Sequence, residues 1–163
     1  MHITSLRELY LAELQELSDG ERQLVEMLKL MMEVVSSDSM LQLLHKLQKE
    51  AIRQEQRLNM LLQDHGVDAS THADQAMEAL INETKKMSEM TADGLRNAAL
   101  IASLQKVEHY EIAAYGSIAT LAGQLGFGDD QRLLHRSLQE ERRADKLLTG
   151  LAKAGINEEA RAA

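Results

Sequence analysis

Apolar residues recur at helical spacing along almost the whole chain and divide it into four long stripes. The first reads Leu6, Tyr10, Leu14, Leu17, Glu21, Leu24, Leu28, Met31 and Val35, in steps of three or four that keep every member on one helix face. Thr4 or Ser5 can cap its start, and Ser36-Ser37-Asp38 breaks it and caps the next element. The second stripe, Leu44, Leu47, Ala51, Gln54, Leu58 and Leu61, predicts a helix over about 39–65 that stops at Gly66, a usual residue just past a helix end. A third helix starts at Asp93 and ends near Gly126, with Ile101, Leu104, Glu108, Glu111, Tyr115, Ile118, Ala122 and Leu125 in line. The fourth covers about 130–154 and aligns Leu134, Leu138, Glu141, Asp145 and Leu148. Between the second and third, residues 67–92 are polar and then weakly amphipathic through Met77, Leu80, Ile81, Thr84 and Met87, which predicts a long crossover holding one short helix. Residues 155–163 are expected to form a frayed tail.

An internal repeat organises these elements. A shift of 90 positions sets Leu43-Leu44-His45-Lys46 on Leu133-Leu134-His135-Arg136, Glu50 on Glu140, Leu58 on Leu148 and Glu21 on Glu111. Two helical hairpins, 4–66 and 93–154, joined by the crossover 67–92, therefore describe a single all-α domain over residues 1–163, an antiparallel four-helix bundle with an approximate two-fold axis.

The stripes are apolar except near their middles, where carboxylates interrupt them. Glu21 does so on the first helix, and Glu108 and Glu111 lie one turn apart on the third. Glu50 borders the second stripe. On the fourth helix the repeat selects Glu140 while the stripe selects Glu141, and both stand as candidates. With a rise of about 1.5 Å per residue, antiparallel packing brings these groups to a similar depth. Carboxylates meeting in a dry core repel one another unless protons or cations neutralise them, and two divalent metals bridged by glutamates are a recurrent solution in such bundles. The plainer reading is a set of structural ion pairs, with Glu50 free to pair with Lys46 or Arg143. Tyr115 continues the acidic stripe and can hydrogen-bond a carboxylate, and Asp145 stands one turn beyond Glu141. His109 points about 100° away from Glu108, which suits a flank or subunit contact, and His45 and His135 read as surface or interface residues. Met27, Met31 and Met32 read as core filler.

Composition narrows the function. With no cysteine in 163 residues, disulfides, thiolate metal sites and cysteine catalysis are excluded, and the absence of proline favours unbroken helices. Four aromatic residues and a net charge of −8 argue against nucleic acid as a partner. No stretch approaches the ~18 apolar residues of a membrane span, and the charged N-terminus lacks the core of a signal peptide. A soluble, cytoplasmic protein is expected.

At the acidic positions the chain resembles a known family. KVEHYEIAAYGSIATLAGQLG and LQEERRADKLL, with LSDGERQL on the first helix, are similar to the YciF-type stress proteins of the ferritin-like superfamily over nearly the whole length. The resemblance implies a ferritin-like bundle, a homodimer, expression under stress and a dinuclear iron site. It would make Glu21, Glu50, Glu108, Glu111 and one or both of Glu140 and Glu141 the metal ligands. The wider superfamily carries histidine three residues after glutamate on the second and fourth helices, where this chain has Arg53 and either Arg143 or Ala144. Family relatives carry histidine at the position of Leu47, and Tyr or His at that of Ser18. A carboxylate-rich, histidine-poor site binds iron more weakly and admits Mn²⁺ or Mg²⁺ more readily. Two functions follow as expectations: a dinuclear iron or manganese centre reacting with O₂ or peroxide, or a non-enzymatic bundle whose carboxylate site holds no metal.

Overall fold

A computed structural model describes residues 2–162. Four long helices form the bundle: α1 (Leu6–Val34), α2 (Asp38–Asp64), α4 (Asp93–Gln124) and α5 (Gly128–Leu151), with α3 (Gln75–Met90) carried by the crossover between α2 and α4. Ser5 caps α1 by accepting from the Glu8 amide while the Glu8 carboxylate reaches back to the Ser5 amide, a reciprocal pair that satisfies two donors at the helix start. Gly66 and Gly126 follow α2 and α4 with φ of 71° and 75°; the left-handed turn at Gly66 ends α2 ahead of the crossover, and that at Gly126 closes the α4–α5 hairpin over a few residues.

Cross-helix hydrogen bonds fix the directions. Ser18 bonds Asn59 and Gln48 bonds the Val25 carbonyl, so α2 descends as α1 rises. Gln105 bonds Asp145 and Thr149 across the α4–α5 pair. Arg57 and Gln54 of α2 meet Ser137 and Glu141 of α5 in the same antiparallel sense. This is the expected all-α four-helix bundle with a long crossover bearing a short helix.

The core is two apolar clusters rather than one. Leu24, Leu28, Met31, Leu44, Leu47, Ala51, Leu104, Val107, Ala144 and Leu148 fill the half nearer α3. Tyr10, Leu14, Leu17, Leu58, Leu61, Tyr115, Ile118, Leu134 and Leu138 fill the other. Each helix crosses from one cluster to the other through a short interval, and those intervals contain Glu21, Gln54, Glu108, Glu111 and Glu141, all buried. A polar layer thus divides the bundle in the middle, flanked by apolar packing that keeps water out.

A buried latch ties the crossover down. Asp74 caps α3 through the Met77 amide, accepts from the Tyr110 hydroxyl at 2.7 Å and donates its own amide to Asp19 at 2.9 Å. Gly20 makes room for it, since a Cβ there would lie 2.6 Å from the Asp74 Oδ2.

The C-terminal residues differ from the expected frayed tail. A π-helical turn, Ala152–Ile156, continues α5; Gly155, at φ 151°, bends the chain; and α6 (Asn157–Ala162) follows. Ile156 is buried in the cluster nearer α3, and that one apolar side chain holds the end of the chain against α4. No described helix is long and apolar enough to cross a membrane.

Candidate metal centre

Four glutamates from three helices meet in the polar layer. Glu21 and Glu111 are fully buried, and Glu108 and Glu141 are 2% and 5% exposed. The i, i+3 spacing on α4 puts Glu108 and Glu111 on one face, and α5 offers Glu141 to both. One carboxylate oxygen from each of Glu108, Glu111 and Glu141 lies within 4.8 Å of the others. Glu21 closes the side toward α1, where its Oε1 accepts a 2.5 Å hydrogen bond from the Tyr115 hydroxyl. Glu21 Oε2, Glu108 Oε2 and both oxygens of Glu111 are buried without a hydrogen-bond donor. Buried acceptors are rarely left so.

Electrostatics follow from that placement. Burial pushes the Glu21 carboxyl well above its ordinary range, Glu141 adds repulsion, and the Tyr115 hydrogen bond opposes both. Glu108 rises for the same first reason, then from the charge of Glu141 and a side-chain hydrogen bond to it. Glu111 rises through burial, then through Glu21, Glu141 and Glu108. Glu141 also rises by burial, but the neighbouring Glu108 carboxyl, the Gln54 amide that donates to it and the Glu111 carboxyl hold it back, in that order. All four carboxyl groups are thus pushed toward their protonated forms, and Glu141 is the one whose neighbours oppose the rise most. Tyr115, buried beside Glu21, is driven far from ionisation, first by burial and then by the Glu21 charge. Protons can reconcile these groups, and so can a cation, which would take the place of the protons and attract the carboxylates directly. The donors are all oxygen, a set that suits Mn²⁺, Fe²⁺ or Mg²⁺ more than soft metals.

Glu50 and Glu140 lie outside the triad. Glu140 is half-buried and turns to Arg57, 3.0 Å away, with Arg136 on its outer side and Gln54 at 3.3 Å. The stripe, not the repeat, identifies the inward residue on α5. Glu50 is half-buried at the edge between α2 and α5, and its repeat mate is the flanking Glu140. The inward pair is Ala51 and Glu141, one residue later in each half. A helix turns about 100° per residue, so a single step separates a ligand position from a flank.

Sequence reasoning gave Gln54 only an inward position. In the fold its amide donates to Glu141 Oε1 and to Glu140, joining the buried carboxylate to the outer ion pair. A polar side chain in the α2 stripe, three residues past Ala51, was the available signal. Asp145 hydrogen-bonds Gln105 and pairs with the exposed His109 at 3.3 Å, outside the triad. His45 and His135 are exposed, Met27 and Met31 are core residues, and Met32 packs against the core from a partly buried position.

Known proteins agree with this architecture. A family model described as domain of unknown function DUF892 matches residues 5–161. Protein YciF of Escherichia coli strain K12 is 35% identical over 162 residues, spanning 98% of each chain. The crystal structure of the E. coli stress protein YciF superposes with a TM-score of 0.89 at 34% identity, covering 95% of this chain and 99% of that one. YcfI from Rhodopseudomonas palustris, whose description offers a structural role, gives 0.85 at 31% identity, over 90% of this chain and 94% of its own. A protein of Xanthomonas campestris pv. campestris gives 0.79 at 17% identity, over 96% and 97%, and speaks for the fold alone.

Proposed function

The chain belongs to the DUF892 family, and from that premise we propose that it is a stress-response protein of the YciF type whose bundle core binds a divalent cation, Fe²⁺ or Mn²⁺. Glu108, Glu111 and Glu141 would hold the ion, with Glu21 completing the set from α1. The observation that carries this reading is the group of four buried carboxylate oxygens without donors, on Glu21, Glu108 and Glu111, around a layer sealed by apolar packing. Carboxylates are almost never buried unless paired or coordinating a metal.

The residues fit one ion better than two. Dinuclear bundle centres take a glutamate from each of two helices and a Glu-x-x-His pair from each of the others. Glu21, Glu111 and Glu141 meet that pattern, but the inward partners are Ala51, Gln54 and Ala144. Glu108 supplies one extra carboxylate on the α4 side, and the α2 glutamate at that depth, Glu50, stands half-buried on the flank, one residue before the inward Ala51. A redox-active ion here supplies one-electron chemistry toward O₂ or peroxide. The chain's own part is to hold the carboxylates together, to exclude water through the two apolar clusters, and to keep Glu21 turned by Tyr115.

Metal analysis and calorimetry on protein purified with chelator and reloaded anaerobically test the proposal. One Fe²⁺ or Mn²⁺ per chain is expected, and a Glu108→Ala, Glu111→Ala double variant should lose it. Full binding by that variant would refute the assignment. One observation favours a second reading, a scaffold whose acids are held by protons: no histidine enters the layer, and Gln54 directs an N–H donor at Glu141. Protein that binds neither ion would establish it.

A further inference from the structure

Between α2 and α5, beside the carboxylates, lies an enclosed cavity of about 10 Å³, lined by Glu50, Ala51, Gln54, Glu108, Glu141 and Ala144 together with leucines. Resting on the reading that the glutamates bind a cation, we infer that this cavity is the centre's small-ligand position, taking one neutral, hydrogen-bonding molecule the size of water.

Size sets the first limit. About 10 Å³ is the room that a single water centre needs, so organic substrates do not fit. Polarity sets the second. A buried water makes about two to four hydrogen bonds, and four lining side chains, Glu50, Gln54, Glu108 and Glu141, offer polar atoms. Among them Glu108, 2% exposed, has an oxygen with no donor. Charge sets the third, because a wall of three carboxyl groups repels anions while accepting an O–H donor.

The cavity exists because of particular residues. Ala51 and Ala144 are the inward residues of α2 and α5 at this depth, both nearly fully buried, and any longer side chain there would fill the space. It touches Glu108 and Glu141, two of the groups assigned to the ion, so a molecule held in it stands beside the metal. Half-buried Glu50 is the most exposed of the lining residues and marks the side of the cavity toward the outside of the bundle.

The test uses the full chain loaded with Mn²⁺ and measures water-proton relaxation. The wild type should show inner-sphere enhancement from an exchanging water, and azide should leave it unchanged. Ala51→Leu and Ala144→Leu should bind Mn²⁺ stoichiometrically yet lose the enhancement, and Ala51→Val serves if leucine does not fold. Enhancement absent from Mn²⁺-loaded wild type, unaltered by the filling variants, or removed by azide would overturn the inference while leaving the metal assignment standing. Failure of the wild type to bind Mn²⁺ would overturn both.

Discussion

Glu111→Gln should stabilise the metal-free protein, and by an amount that grows with pH. The side chain is fully buried and neither oxygen has a donor, so in the fold it prefers its protonated form, chiefly through burial and then through Glu21, Glu141 and Glu108. In the unfolded chain it ionises near its ordinary value of 4.5. Above that pH the folded state therefore holds a proton that the unfolded state has released, and stability falls as pH rises toward the folded pKa. Each pH unit over which one such proton is retained costs about 1.4 kcal/mol. The wild type loses that stability between its unfolded and its folded pKa, and glutamine, uncharged throughout, does not.

At about 2–4 °C per kcal/mol for a domain of this length, the variant should melt only slightly above wild type at pH 5 and by a clearly wider margin at pH 7. The assay is thermal denaturation followed by circular dichroism with chelator present. Added Mn²⁺ should narrow that margin, since a ligand at 100 times its Kd adds about 2.7 kcal/mol to the protein that binds it. A gap between variant and wild type that is equal at the two pH values, or that shrinks at pH 7, would refute the claim that Glu111 is held protonated by its surroundings.

Other perturbations separate the remaining parts of the layer. Tyr115→Phe deprives Glu21 Oε1 of the one hydrogen-bond donor it has among the described residues and should cost about 1–3 kcal/mol by chemical denaturation in chelator; an unchanged midpoint would mean that the hydroxyl does not hold Glu21. Glu141→Ala should abolish Mn²⁺ binding by calorimetry, while Glu140→Ala, which breaks the outer pair with Arg57, should leave it within about tenfold, or ~1.4 kcal/mol; the opposite ranking would reassign the α5 ligand. Gly20→Ala gains about 1 kcal/mol of helix propensity but drives a methyl into Asp74 Oδ2, so Tm should fall and amide exchange in α3 should accelerate; a higher Tm would show the latch to be loose.

The bundle was legible because helix periodicity reports burial directly: every apolar member of the α1 and α2 stripes from Tyr10 to Leu61 is buried except Val35, which still packs against the core. The carboxylates were legible for the converse reason, as charges where the period demands leucine. What the stripe resolves is angle, and what the repeat resolves is depth, and the two disagree by one residue on α2 and α5. Glu50 and Glu140 match each other as acids, but they match as flanks, each about 100° from the axis of the layer. The true inward mates, Ala51 and Glu141, differ in chemistry, so likeness of residue type pointed to the wrong pair. That difference carries physical meaning. The two halves of the bundle no longer contribute equally: α4 and α5 provide three carboxyl groups, whereas α1 and α2 provide Glu21 and the amide of Gln54. The small residues Ala51 and Ala144 give the asymmetry its second consequence, a water-sized space beside the acids in place of further ligands. The C-terminal residues were illegible for another reason. Ile156 is a lone apolar side chain beyond a Gly155 bend, too short a signal to form a period, yet it is buried in the core where α6 meets α4.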